Sequence, residues 1–159
     1  MKIITNLLDK KDFVELKNII LCDEFPWFFN EHSIDSESIN SPPQFTHNFL
    51  KDYRISNYFF CVEKILKKID HSVMFRIKAN LNTQTEKIIE TGLHTDIDKK
   101  GFTSAVFFVN NNDGYCRIQN TKINSEENKL VIFDSSITHT GTSCTKNGRR
   151  VVINFVYKK

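Results

Sequence analysis

The sequence predicts a mostly β jelly roll, two antiparallel sheets facing each other, with N-terminal helices packed on one of them. Three observations lead there. Two stretches before residue 71 space their apolar residues as helices do. After His71 the hydrophobic period falls to two, and short apolar runs then recur between clusters of Asn, Asp, Gly and Lys.

In chain order, Asp9 to Cys22 place Phe13, Leu16, Ile19 and Ile20 on one stripe, with Lys10, Lys11, Glu15 and Lys17 elsewhere, which makes an amphipathic helix. The stretch Glu24 to Asn48, with Pro26, Pro42 and Pro43 among Ser, Asn and Asp, has no period and reads as an irregular connection. Ser56 is placed to cap a second helix running to about Asp70, with Phe59, Phe60, Val62, Ile65, Leu66 and Ile69 inward. Val73, Phe75, Ile77, Ala79 and Leu81 then alternate with Met74, Arg76, Lys78, Asn80 and Asn82, as in a half-buried strand. Further strands are expected at 93–97, 102–109, 115–119, 130–133, 143–145 and 149–157. The last, RRVVINFVY, is apolar almost throughout, as a central strand covered on both faces should be.

A chain of 159 residues with 40% apolar content fits one domain over 1–159, with 1–70 as helical support and 71–159 as the roll. The formal charge of +3 is too mild and too evenly spread for a nucleic-acid footprint, which disfavours a nucleic-acid partner. No run approaches the ~18 apolar residues a membrane helix needs, and the N-terminus carries Lys and Asp where a signal peptide is apolar. The expectation is a soluble, cytoplasmic protein without a membrane partner. Four cysteines without a CxxC pair read as packed, reduced thiols.

The chemistry concentrates in three places. In LHTDID a period of two sends His94 and Asp96 to the same side, where one ion could touch both. His139 follows the expected strand LVIFD. Two imidazoles and a carboxylate on one face of an octahedron hold ferrous iron while leaving three positions open. Arg149 and Arg150 open the final strand, and a guanidinium fixed there can grip a carboxylate bidentately. Hydrophobicity does not decide which of the two points inward, because the residues alternating with each are largely apolar. Taken alone, HxD is a common surface pattern, a lone histidine is most often a loop residue, and paired arginines usually flank a strand as solubilising charge.

HTDID, FFVNNNDGY, KLVIFDSSITHTGTSCT and RRVVINFVY in this order, with FPWFF near the N-terminus, carry a resemblance. The chain resembles the 2-oxoglutarate/iron(II) dioxygenases of the prolyl-4-hydroxylase-like group, particularly small members from phages and marine microbes. The resemblance implies a double-stranded β-helix, the cupin-like form of the jelly roll. It implies Fe(II) held by His94, Asp96 and His139, with 2-oxoglutarate as cosubstrate, O2 as oxidant and ascorbate as a reductant. It places the carboxylate-binding Arg at Arg150 rather than Arg149. Where relatives add a Tyr to the cosubstrate, this chain offers Asn80 or Asn82 as donors.

The implied outcome is hydroxylation with release of succinate and CO2, in the host cytoplasm if the protein is phage-encoded. The substrate is left open between a small molecule and a peptide side chain, with Lys99, Lys100 and the 110–114 turn bordering the entrance. The alternatives are a non-catalytic cupin-like protein that binds a metal or small anion, and an interaction module with a decayed site.

Overall fold

The structure is a computed structural model and describes residues 1–33 and 42–159. Helix α1 spans Lys10–Leu21 and starts where Asp9 accepts the Asp12 amide proton at 2.9 Å, satisfying one of the unpaired N–H groups of the first turn. Phe13, Leu16 and Ile20 are buried, with Ile19 packed beside them, as the stripe predicts. Helix α2 is shorter than expected and spans only Phe60–Leu66. Ser56 does not cap it, because its hydroxyl accepts from Tyr58 N–H at 3.2 Å and pairs with the His47 ring at 2.9 Å. Consequently Phe60 turns to solvent while Cys61 takes a buried place beside Val62 and Ile65.

The strands are β1 (Lys2–Ile4), β2 (Phe28–Asn30), β3 (Gln44–Lys51), β4 (Arg54–Ile55), β5 (Val73–Thr83), β6 (Thr103–Phe108), β7 (Tyr115–Ile118), β8 (Thr121–Asn124), β9 (Lys129–Asp134), β10 (His139–Gly141) and β11 (Arg149–Lys158). The large sheet runs β1-β9-β6-β11-β5-β3-β2, with β4 on β3, and the small one runs β10-β7-β8. All their pairings are antiparallel. The predicted jelly roll with helices on one sheet is the architecture found, and β11 is a central strand between β6 and β5.

Four strands lie in the part read as helical support and irregular connection. β1–β4 extend the large sheet, so residues 1–70 contribute sheet as well as helices. The connection expected at Glu24 to Asn48 contains β2 and the start of β3, and its portion 34–41 lies outside the described residues.

Each face of the large sheet has its own core. Ile77, Ala79, Leu81, Phe107, Ile153 and Phe155 point toward the helices. Val106, Phe108, Val131, Phe133 and Val152 point toward Cys116, Ile118 and Ile123 of the small sheet. A fully buried aromatic or aliphatic side chain contributes about 1.5 to 3 kcal/mol, so the two layers hold β5, β6 and β11 from both sides. All four cysteines are free, three of them buried, and burial pushes the Cys61 and Cys116 thiols up to about 11.

His47 faces the helical side, 4.7 Å from the Phe25 ring and 4.8 Å from the Phe49 ring between centroids. Its Nδ1 donates to the Pro26 carbonyl at 2.9 Å, since a carbonyl can only accept. Burial holds its pKa below the ordinary value, although the Pro26 carbonyl acts in the opposite direction. The unfolded chain therefore takes up this proton below about pH 6.5 while the folded chain does not. The associated stability is present above that pH and lost as pH falls toward the lowered pKa. Thermal melts should show Tm dropping between pH 7 and 5, and His47→Gln should flatten that slope. An undiminished slope would assign the acid sensitivity to other groups.

Candidate metal centre

His94 and His139 meet through their backbones. The His94 amide donates to the His139 carbonyl at 3.0 Å and the His139 amide to the His94 carbonyl at 2.9 Å, an isolated antiparallel bridge. The ring centroids are 4.4 Å apart. The expected strand at 93–97 is reduced to this one bridge, because the chain then bends and the amides of Asp96 and Ile97 both aim at the Ser135 carbonyl, at 3.2 and 3.4 Å. The strand expected at 143–145 is likewise only a bridge, between Gln84 and Cys144.

The two imidazoles are fixed in the same tautomer. His94 Nδ1 lies 3.2 Å from the Gly92 carbonyl and His139 Nδ1 lies 3.0 Å from the Ile137 carbonyl. Because those carbonyls only accept, the single proton of each ring in its neutral form sits on Nδ1, which leaves Nε2 to offer the lone pair a metal ligand needs. Asp96 completes the group, with its Oδ2 3.6 Å from His139 Nε2, and one donor atom from each of the three residues lies within 4.8 Å of the others.

The carboxylate of Asp96 is held on both oxygens. Arg76 donates to Oδ1 at 2.5 Å and Ser104 to Oδ2 at 2.6 Å, while Ser104 also meets Ser135 at 2.9 Å. Burial acts to raise the Asp96 pKa, but the Arg76 guanidinium, the His139 ring and the Ser104 hydroxyl outweigh it, and the net shift is downward. His94 is also lowered, first by burial and then by the neighbouring His139. Both shifts favour the deprotonated forms that bind a cation.

This group opens into a cavity of about 600 Å³ between the two sheets. Arg150 lies at its inner end, 2% exposed, with Nε donating to the Ser125 hydroxyl at 2.9 Å and its guanidinium 5.7 Å from the centre of the Phe108 ring. No carboxylate among the described residues forms an ion pair with it, and burial pulls its pKa down. Arg149 faces the other way and donates to the Leu21 carbonyl at 2.6 Å, at the end of α1. The sidedness that hydrophobicity left open is therefore Arg150 inward, followed by Val152 and Asn154 along the cavity wall.

Gly141 stands two residues beyond His139 on β10, and a Cβ there would come 3.4 Å from Arg150 Nη1. At a strand rise of about 3.3 Å per residue, the guanidinium sits roughly 7 Å along the strand from the metal-ligating position. At Gly114 a Cβ would fall 2.5 Å from the Ser143 carbonyl oxygen and 2.7 Å from Arg150 Cδ. Only glycine lets that turn close over the Arg150 stem. Asn82 pairs with Arg150 across β5 and β11, and Asn80 pairs with Val152, so both asparagines line the cavity. Asn80 Oδ1 is buried with no hydrogen-bond partner among the described residues.

Sequence reasoning missed Arg76, Ser104 and Ser125. Arg76 shares the alternation of Lys78, Asn80 and Asn82, which marks its face but not its partner. Lys99 and Lys100, expected at the entrance, are exposed and do not line the cavity, and the 110–114 turn folds against Arg150 and residues 143–145 instead.

Fold and site together define a double-stranded β-helix with two histidines and one aspartate gathered in its cavity. Solved structures with the same fold are a viral collagen prolyl hydroxylase from Paramecium bursaria Chlorella virus-1 in complex with 2-oxoglutarate (TM-score 0.62, 13% identity, covering 99% of this chain and 96% of that one), a Trichoplax adhaerens prolyl hydroxylase bound to a hypoxia-inducible-factor peptide (0.68, 14%, 99% and 82%), and HygX of Streptomyces hygroscopicus with nickel and 2-oxoglutarate bound (0.64, 9%, 98% and 81%). The sequence itself matches no protein-family profile and no curated protein. The chain has the fold of the 2-oxoglutarate/Fe(II) oxygenases, in the form its prolyl-hydroxylase-like members take. No helix among the described residues is long and apolar enough to cross a membrane.

Proposed function

We propose that the protein is an Fe(II)- and 2-oxoglutarate-dependent oxygenase that hydroxylates its substrate and releases succinate and CO2. The observation that carries this reading is Arg150, a buried cation without a carboxylate partner among the described residues, in the same cavity as three converging metal donors. An unpaired buried charge is costly, and it is retained where a ligand supplies the counter-charge. A protein that bound only a metal would have no use for it.

The donor set fits ferrous iron: two neutral nitrogens and one anionic oxygen hold the ion and leave positions for a bidentate ligand and for oxygen. Ferrous iron held there would supply the activation of O2 that couples oxidative decarboxylation of 2-oxoglutarate to hydroxylation, with ascorbate as the reductant that would keep it ferrous. His94, Asp96 and His139 hold the metal. Arg76 and Ser104 keep the Asp96 carboxylate ionised and oriented. Arg150, with Ser125 behind it and Asn82 across the strand pair, binds the distal carboxylate, and Asn80 presents a side-chain amide to the same ligand. Amide orientation is set by the partner, so the Asn80 group can turn its NH2 toward a carboxylate. The buried free thiols suit a reducing, cytoplasmic location.

The test is turnover. Purified protein given Fe(II), ascorbate, O2 and 2-oxoglutarate should form succinate slowly without substrate and faster once the substrate is supplied. Absence of both turnover and 2-oxoglutarate binding would favour a non-catalytic metal- or anion-binding roll.

A further inference from the structure

The cavity has two unlike ends. At the inner end, Arg150 and Asn82 face each other and are 2% and 5% exposed. At the outer end Arg76, Asn154, Asn48 and Lys51 line the wall, and Asn48 and Lys51 also line the adjoining surface cleft, so this end opens to solvent. Arg76 and Asn82 stand six residues apart on one face of β5, roughly 20 Å at the usual strand rise. The metal donors lie between them, with Asp96 bonded to Arg76 on one side and Gly141, two residues past His139, beside Arg150 on the other.

The outer end is built for a polar guest. Arg76 Nε and Asn154 Oδ1 are buried there without a hydrogen-bond partner among the described residues. Leaving such a group unpaired costs about 1 to 3 kcal/mol; the Arg76 N–H is a donor that an anion satisfies, and the Asn154 amide, turned over, offers its NH2 to the same guest. Holding Asp96 accounts for one nitrogen of Arg76 and leaves Nε without a role. Among the described residues the cavity wall contains no Phe, Tyr or Trp, and its only carboxylate is Asp96. A dication and a dicarboxylate bound in the cavity cancel each other, and Lys51, Arg76 and Lys78 then outnumber Asp96 at this end.

We propose that this outer end receives an anionic group of the substrate, a carboxylate or a phosphate, gripped by Arg76 and Lys51 and flanked by the amides of Asn48 and Asn154. The proposal rests on the oxygenase reading for which ligand is substrate and which is cosubstrate. It separates this chain from an enzyme for prolyl peptides, whose uncharged ring and backbone would leave the outer cations unmatched.

The test uses full-length protein loaded with Fe(II) and 2-oxoglutarate under argon. Matched probes are titrated by calorimetry: glycerol 3-phosphate against glycerol, N-acetylaspartate against its uncharged diamide, and N-acetylproline methylamide. The iron-to-keto absorption band is followed in parallel. At least one anionic probe should bind tenfold or more tightly than its uncharged partner and shift the band without bleaching it. Bleaching would mean that the probe displaces 2-oxoglutarate from Arg150, and would count against the proposal. The two pairs separate phosphate from carboxylate as the group read. Lys51→Met, an exposed change that the fold tolerates, should weaken the anionic probe tenfold while 2-oxoglutarate affinity stays the same. Equal binding of charged and uncharged partners, preference for the proline probe, or an unaffected Lys51→Met variant overturns the proposal. If the band never forms, the oxygenase reading fails, and calorimetry on metal-free Arg150→Met protein, which lacks the inner cation, still decides the anion preference.

Discussion

Arg150→Met should weaken 2-oxoglutarate by about 2 to 4 kcal/mol, roughly 30- to 700-fold in Kd, the scale for losing one side of a desolvated charge pair. The same substitution should leave the stability of the ligand-free protein unchanged or raise it. Arg150 is 2% exposed, has Ser125 as its hydrogen-bond partner and lies against Phe108, so the folded state carries an uncompensated charge that the unfolded chain keeps in water. Methionine fills a similar stem volume without that charge. Loss of binding together with equal or better stability marks a residue retained for its ligand. Arg149→Met, one position earlier, should leave 2-oxoglutarate affinity unchanged and loosen only the tie to the Leu21 carbonyl. Calorimetric titration and thermal melts of the two variants read both effects. The opposite assignment of effects would put the final strand in the wrong register.

His139→Ala should reduce metal affinity by more than ~100-fold, beyond the range typical of losing a group that merely supports a ligand. The imidazole is 4% exposed and sits 4.8 Å from the Phe133 ring and 4.4 Å from His94 between centroids, so the change also opens a small cavity, for about 1 to 3 kcal/mol. The backbone bridge to His94 uses N–H and C=O and survives the substitution, which preserves the local path of the chain. A divalent ion at 100 times its Kd stabilises the wild type by about 2.7 kcal/mol, so added metal should raise Tm for the wild type and not for the variant. Equal metal-induced shifts in both would remove His139 from the ligand set.

The roll was legible because its main strands are covered on both faces, so β6, β9 and β11 appear as apolar runs and β5 as a clean alternation. β3 was not, because the face that lines the cavity carries Gln44, Thr46 and Asn48, and a bulge before Leu50 shifts the pattern on the other face. β1, β2 and β4 are two or three residues long and too short to show any period. In the site, HxD spacing, a later histidine and an arginine opening the last strand sufficed to find four side chains that the fold brings to one cavity. Arg76 and Ser104 escaped notice because their meeting with Asp96 depends on how a loop bends across β5 and β6. A period of two placed His94 and Asp96 on one side, and they are, although the segment is a bend around the Ser135 carbonyl rather than a strand.

The most direct measurement is made without oxygen: one equivalent of Fe(II) is added to the purified protein, followed by 2-oxoglutarate, and the visible iron-to-keto charge-transfer band is recorded. The band should saturate at one metal and one 2-oxoglutarate per chain, vanish in His139→Ala, and require far more 2-oxoglutarate in Arg150→Met. A protein that binds no stoichiometric iron, or that binds 2-oxoglutarate equally well with and without it, would contradict a centre built from His94, Asp96 and His139.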